Sequence, residues 1–567
     1  MPDDNNRREE YERIAAREKR RSAGRTLAIV ILSIIVIILL AVLGAMAYIM
    51  MAMQSGREVN VPFLSDIIGQ QHISSAEISE PAVDPEQAAL SAVSEAPAST
   101  PSIAESAEPT PVPVTSETAP AETLEQPDAD VSAIKDIDPA TLPEVGSEEE
   151  ALAAAAAFAT QYDYDSAVSV IKKLSGYENA STLTAKIDEY TAAKAACYVV
   201  DVTKVPHIFF HSLLNDDRGL RADVVGEDRA WKNDTAMATS DEYDHVIQQM
   251  YEAGYVLVSL DDMCVKTKDK DGNVKVSPSK SLLLPEGKKA FVLSVDDLSY
   301  YHSYGIGTQG YATRLVLDEE GKVKCEYTNE AGETLIGDYD VVPRLDTFIH
   351  EHPEFAYHNA RGTVALTGYN GVFGYRTNDY YKDINNPKLD RDQVKWLENH
   401  PDFNFDEDVA AAKAIADAMK AEGWTFASHT YGHWNASTHT AEQLKEDNER
   451  WMTCNHEIIG DIDKIIFAFG GDIGPAFGYT ADNPKFAYFK SQGYNIFCNV
   501  DGHAGWTEFG DDYMRTGRVP IDGFSLYQAM TPEGGSHQTY GTSYEILGIH
   551  DVDQFFNKNR IVPIETE

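Results

Sequence analysis

The chain has 567 residues, 43% of them hydrophobic, which is too long for one ordinary core and implies several segments, at least one of them a large globular domain. Its 91 acidic against 47 basic residues leave a net charge of −44, which argues against nucleic acid or another polyanion as the main partner. The five cysteines (Cys197, Cys264, Cys325, Cys454 and Cys498) are scattered without CxxC spacing, so neither a zinc finger nor a disulfide framework is expected, and they read as small buried hydrophobes.

Residues 1–25 form a basic tail carrying Arg7, Arg8, Arg13, Arg17, Lys19, Arg20, Arg21 and Arg25. Residues 26–53 follow as a predicted transmembrane helix. Leu27 to Met53 is one uncharged apolar run, longer than the roughly 20 residues a bilayer requires. The positive-inside rule leaves the tail in the cytoplasm and sends the rest across the cell membrane as a single-pass protein. Ala45-Met46-Ala47 imitates a signal cleavage site, but the run continues past it, which favours an uncleaved anchor. Residues 54–146 turn to Ala, Ser, Glu, Pro and Thr, as in Glu108-Pro109-Thr110-Pro111-Val112-Pro113. Such a stretch buries too little apolar surface to offset its ordering entropy and reads as a disordered stalk.

Residues 147–200 are helical by pattern. Ser147 and Glu150 have capping-box spacing, and Phe158, Tyr162, Ala167, Val168 and Ile171 supply the apolar faces of a helical hairpin. From 201 to 567 short apolar strands alternate with helices, the pattern of a parallel sheet or barrel with helices outside. Predicted strands are His207–His211, Val256–Leu260, Ala290–Val295, Thr363–Thr367, Thr425–Ser428, Ile465–Phe469, Asn495–Val500 and Glu545–Ile549. Predicted helices are Asp241–Ala253, Phe405–Ala421, Ala441–Ile459 and Lys485–Gln492. Thr313 to Asp338 reads as an inserted β-hairpin, and Phe373 to His400 as a long polar surface loop.

Two motifs sit where predicted strands run out. Ser294-Val295-Asp296-Asp297 follows Ala290-Phe291-Val292-Leu293, and Ser428-His429-Thr430-Tyr431-Gly432-His433 follows Trp424-Thr425-Phe426-Ala427. Parallel barrels place their chemistry at that end of the strand. One carboxylate and two imidazoles suit Zn²⁺ or a similar divalent ion with a position left for water, and Asp296 would then take a proton from that water. Two adjacent strand residues point to opposite faces, so Asp296 and Asp297 divide these roles only if the strand ends there and the backbone turns. Either motif alone is common without a site; an Asp-Asp pair usually makes a turn, and His-x-x-x-His is ordinary helix spacing. His211 reads equally as a pocket or a core histidine, His302 as a cleft-lining loop residue, and His350, His352 and His358 as surface.

These residues resemble the NodB-like polysaccharide deacetylases. Ser294-Val295-Asp296-Asp297 is similar to the family's Thr/Ser-Phe-Asp-Asp-Gly string, with Leu298 in the place of Gly, and His429-Thr430-x-x-His433 is similar to its His-Ser/Thr-x-x-His motif. Val205-Pro206-His207-Ile208-Phe209-Phe210-His211-Ser212 looks like its opening strand. Ile466-Phe467-Ala468-Phe469-Gly470-Gly471 lies where the family has an Arg and a Pro, and has neither. Asn499-Val500-Asp501 and Ile546-Leu547-Gly548-Ile549-His550-Asp551 resemble the fourth and fifth motifs, and Gly517-Arg518-Val519-Pro520 resembles an Arg-containing closing strand of some members.

The resemblance implies an irregular (β/α)7 barrel that hydrolyses N-acetyl groups on an N-acetylglucosamine-containing polymer of the cell surface. It implies Asp297, His429 and His433 as ligands of a divalent metal (Zn, with Co, Mn or Ni as alternatives), a metal-bound water as nucleophile, Asp296 as catalytic base, His550 as general acid and His211 as a substrate contact. Anchor and stalk would hold this domain outside the membrane, within reach of the cell wall. The rival readings are a catalytically weakened carbohydrate-binding surface protein, suggested by Leu298 and the missing third-motif Arg, and a related barrel hydrolase of small amides or esters.

Overall fold

The computed structural model describes residues 133–564 apart from 306, 475–477 and 532–534. The predicted cytoplasmic tail, the membrane span and the stalk as far as 132 lie outside these residues. No described helix is long and apolar enough to cross a membrane.

Three helices open the described chain, α1 (Glu148–Thr160), α2 (Tyr164–Lys173) and α3 (Ser181–Ala195). Ser147 Oγ caps α1 by accepting from the Glu150 N–H, while the Glu150 carboxylate reaches Gly146 N–H. Leu142 is buried in this unit, and Ile134, Ile137 and Val145 pack against it, so the last residues assigned to the stalk belong to the helical unit. A third helix makes it more than a hairpin. It docks on the larger domain through the Tyr162 O–H, which donates to Glu354 O at 2.8 Å, and the His358 N–H, which donates to Gln161 O.

The larger domain is a closed ring of seven parallel strands: β1 (His207–Phe210), β2 (Lys289–Asp296), β3 (Thr363–Leu366), β4 (Thr425–Ser428), β5 (Lys464–Ile466), β6 (Ile496–Val500) and β7 (Met514–Pro520). Each pairs in parallel with the next, and β7 closes on β1 through Val519–Ile208 and Pro520–Phe209. The ring is irregular. β2 pairs with β3 only over Ser294–Asp296, and the short strand Tyr255–Leu257 occupies the same edge of β2 over Lys289–Phe291. After Lys289 every residue of β2 is buried, as expected of a strand covered on both faces. The outer layer includes α4 (Ser240–Glu252), α5 (Val341–Glu351), α6 (Phe405–Glu422), α7 (Ala441–Ile459) and α8 (Pro484–Ser491). Their ends follow local capping chemistry: Thr239 with Glu242 and Thr440 with Gln443 form complete capping boxes.

Three further expectations need correction. The insertion after β2 is a three-stranded meander (Ala312–Leu317, Val323–Thr328 and Thr334–Gly337), because the chain turns again at Gly332 (φ +81°). The polar stretch before His400 contains a helix, Arg391–Asn399, nucleated by an Asp390/Gln393 capping box. The predicted strand Glu545–Ile549 is instead the end of α9 (Gly535–Leu547), and the seventh strand is β7. β7 carries two arginines, a glycine and a proline, so its sequence shows no strand pattern, yet all seven of its residues are buried.

The C-terminal segment is locked by Arg560. Its fully buried guanidinium donates to both Glu242 oxygens at 2.9 and 2.6 Å, to Met237 O and to Asp234. Removing one partner of such a pair strands the other charge in the interior. Arg560→Ala is expected to cost about 3–5 kcal/mol, read as a lower urea midpoint of the full-length protein.

Candidate metal centre

β2 ends at Asp296, and the next residue, Asp297, takes the left-handed conformation (φ +61°). Aspartate tolerates this region better than most residues, so the turn falls on Asp297 itself. Position 298 then has no need of glycine, and Leu298 is fully buried in the core. The turn lets both neighbouring carboxylates serve one site. β4 ends at Ser428, and His429 and His433 follow it.

Asp297, His429 and His433 each offer a ligand atom, and these atoms lie within 4.8 Å of one another. His433 Nε2 is 3.4 Å from Asp297 Oδ2, and His429 Nε2 is 3.8 Å from Asp297 Oδ1. Two ligands each about 2.1 Å from a tetrahedral ion stand about 3.4 Å apart, so the donor set fits Zn²⁺ or a similar cation. The imidazole orientation supports the same fit. His429 Nδ1–H donates to Ile466 O at 2.7 Å, which leaves the Nε2 lone pair toward the two carboxylates, 3.8 Å from an oxygen of Asp297 and of Asp296, and burial holds the ring's pKa below its ordinary value and the ring neutral. The Tyr301 O–H donates to Asp297 Oδ1 at 2.5 Å and meets Thr367 Oγ1 at 2.8 Å.

Asp296 faces Arg518 of β7. Nη1 donates to Oδ1 at 2.7 Å and Nη2 to Oδ2 at 2.9 Å, and Nη1 also donates to Ser294 Oγ at 3.1 Å. The guanidinium is fully buried and lies 4.0 Å from the Phe209 ring centre. Burial pushes the Asp296 carboxyl up, but the charge and paired hydrogen bonds of Arg518 outweigh it and hold the group down at about 2. Sequence reasoning missed Arg518 as the partner of Asp296. The third-motif position after β5 lacks an Arg, and the arginine comes from the closing strand instead; its sequence signal is Gly517-Arg518-Val519-Pro520.

His211 directly follows β1. Its Nδ1 pairs with Ala236 O at 3.0 Å. His550 is elsewhere. It is exposed after α9, where its backbone exchanges hydrogen bonds with the Gln249 side chain near the end of α4. The neighbouring Ile546 O accepts from the hydroxyl of Tyr255, which begins a strand. His550 therefore lies at the strand-start end of the barrel, opposite Asp296, and the expectation that it is the general acid is withdrawn. Its segment is helical, which carries it back along the outside of the ring. His302 packs against Tyr381 and Trp396 rather than the cleft, with its Nε2 2.7 Å from the Tyr381 hydroxyl.

No family model matches this sequence, and no curated protein matches it. Two solved structures are similar in part. One is a Streptococcus pyogenes deacetylase, PplD, in complex with acetate: 11% identity, covering 58% of this chain and 99% of that one, TM-score 0.28. The other is the BpsB deacetylase domain of Bordetella bronchiseptica: 11% identity, covering 57% and 97%, TM-score 0.29. The chain resembles the NodB-like polysaccharide deacetylases. The resemblance rests on Asp296, Asp297, His429 and His433 at two strand ends of one barrel.

The Asp296–Arg518 pair has a pH signature in the metal-free protein. A carboxyl moved from its ordinary 3.8 to about 2 stabilises the fold by roughly 2 kcal/mol. That stability is fully present above about pH 4 and is lost as pH falls through about 2. Arg518→Met leaves Asp296 buried and unpaired, so its pKa rises above the ordinary value and the sign inverts: the variant is less stable than wild type at pH 7 and gains on acidification toward pH 4. Urea midpoints measured against pH check both slopes.

Proposed function

We propose that the protein is a metal-dependent deacetylase acting on an N-acetylglucosamine-containing cell-surface polysaccharide. The observation that carries this is one cluster at the strand ends: Asp297, His429 and His433 converge, and a second carboxylate, Asp296, lies beside them in the two-pronged grip of Arg518. A divalent ion bound there supplies Lewis acidity and a water of lowered pKa. Asp296 is ionised throughout the neutral range and accepts the proton of the attacking water as oxygen bonds to the acetyl carbon. Held as low as about 2, it is a weak base, suited to a water already acidified. As the carbon–nitrogen bond breaks, the leaving amine needs a proton. His211 takes this role in place of His550: it sits at the correct end of the barrel, and the Ala236 carbonyl fixes its ring. The products are acetate and the free amino sugar.

The two departures behind the weakened-binder reading have structural counterparts. Asp297 makes the turn that Leu298 lacks the freedom for, and Arg518 fills the place of the missing third-motif arginine. The apolar run 27–53 and the stalk beyond it fit anchorage in the cell membrane with the barrel outside.

The test is acetate release from chito-oligosaccharides by the full-length protein in detergent, with added Zn²⁺ or after chelation. Activity is expected to need metal, to fall by about 10²–10⁴-fold in Asp296→Asn and in His211→Ala, and to survive His550→Ala. Equal acetate release by wild type and Asp296→Asn would sink the assignment; activity confined to small amides would move it to another substrate class.

A further inference from the structure

α7 is the helix that follows the histidine loop, and its buried face carries an unexpected stripe. Asp447, Trp451 and Asn455 stand four residues apart, on one side of the helix, and are 4%, 0% and 0% exposed. The inward face of an outer helix is ordinarily apolar. Here all three side chains hydrogen-bond to backbone at the top of the barrel. Trp451 Nε1–H donates to Leu366 O at 2.6 Å, and Asn455 Nδ2–H donates to Thr367 O at 3.1 Å, both at the end of β3. The two Asp447 oxygens accept from Tyr431 N–H at 2.6 Å and Gly432 N–H at 2.8 Å. Those amides lie between His429 and His433.

The loop needs such a hold. Thr430 and His433 both have positive φ (+63° and +55°), and neither is a glycine. Each such residue is strained and persists only where its surroundings over-determine it. Gly432 completes the fit: a Cβ there would lie 2.8 Å from Trp434 Nε1 and 3.3 Å from Asp447 Oδ1. Among the described residues no cation pairs with Asp447, so its carboxylate is committed to the loop amides.

We infer that Asp447 is a positioning residue for the metal site, holding the strained turn so that His429 and His433 stand at ligand spacing before any ion binds. Trp451 and Asn455 set the height of α7 against β3. The same strand end orders the other side of the site, because Thr367 meets the Tyr301 hydroxyl that binds Asp297. This inference rests on reading the triad as a metal site; it does not depend on the acetate-releasing chemistry.

Full-length Asp447→Asn, nearly isosteric but with only one acceptor, and Asp447→Ala test it against wild type. Three readouts are taken: Zn²⁺ affinity by chelator competition, the absorption spectrum with Co²⁺, and hydrogen exchange at Tyr431 and Gly432 in the metal-free protein. Expected are a 10–100-fold loss of Zn²⁺ affinity, an altered Co²⁺ spectrum and faster exchange at those two amides, with kcat at saturating metal changed less than affinity. Wild-type affinity and Co²⁺ spectrum in Asp447→Asn would overturn the inference, even with a lowered melting temperature, because that is the signature of a merely structural role. If Asp447→Ala fails to fold, Asp447→Asn decides. Metal bound by wild type without acetate release would remove the proposed function and leave this inference standing; no metal bound by wild type would remove both.

Discussion

A buried ion pair spans the barrel interior, and the site is organised around it. Arg518 and Asp296 belong to β7 and β2, which flank β1 in the ring, and both charges are removed from water. Desolvating two ions costs several kcal/mol each, and only close, fully hydrogen-bonded geometry offsets that. Here the geometry is two-pronged, with Nη1 also donating to Ser294 and the Phe209 ring stacked on the guanidinium, while the buried Nε–H has no hydrogen-bond partner among the described residues. The pair therefore tolerates little displacement of β7 against β2. It explains why a strand of poor intrinsic propensity is nevertheless a fully buried member of the ring, and why Asp296 keeps its charge in a place that would otherwise neutralise it.

One residue later the chain does something different with the same side chain. Asp297 leaves the strand geometry, and its carboxylate turns to the histidines rather than to the arginine. Adjacent aspartates thus differ in their main partners: Asp296 is paired with a fixed cation and Asp297 with a tyrosine hydroxyl and His433, while His429 Nε2 stands 3.8 Å from an oxygen of each. That partition separates a charge held permanently ionised from a ligand free to share its charge with a bound cation. It comes from a single left-handed residue at the end of β2, and the same device recurs after β4, where Thr430 and His433 adopt it.

Support reaches the site from outside the ring through side chains bonded to backbone. Ile466 of β5 orients His429, Ala236 orients His211, and α7 grips the loop between the two histidine ligands. The contacts take up backbone groups that regular structure leaves unsatisfied: the Ile466 carbonyl at the end of β5, the Ala236 carbonyl at the end of a helix, and the Tyr431 and Gly432 amides of the loop after β4. The site is therefore stiff without any side chain being locked by packing alone. The helical unit at 134–195 stands apart from this machinery and meets the barrel near Glu354 and His358.

Much of this was legible in the chain. Apolar runs located six of the seven ring strands, and helix ends followed their caps, so that α7 spans Ala441–Ile459 as the Thr440 signal indicates. Both metal motifs were readable because each is contiguous and sits beside a strand that its own residues define. The eighth expected strand failed for the converse reason: Ile546-Leu547-Gly548-Ile549 has an apolar composition that suits a strand or a buried helix end equally, and only packing on Tyr255 decides. Arg518 lies 222 residues from Asp296, and nothing local marks it as the partner. Capping, periodicity and turn preference act across a few residues, and the sequence by itself determined those. Which charge meets which, and which end of the barrel a histidine occupies, were decided only when the seven strands closed, because desolvated charges and strand-end amides take whatever partner the ring brings within hydrogen-bonding distance.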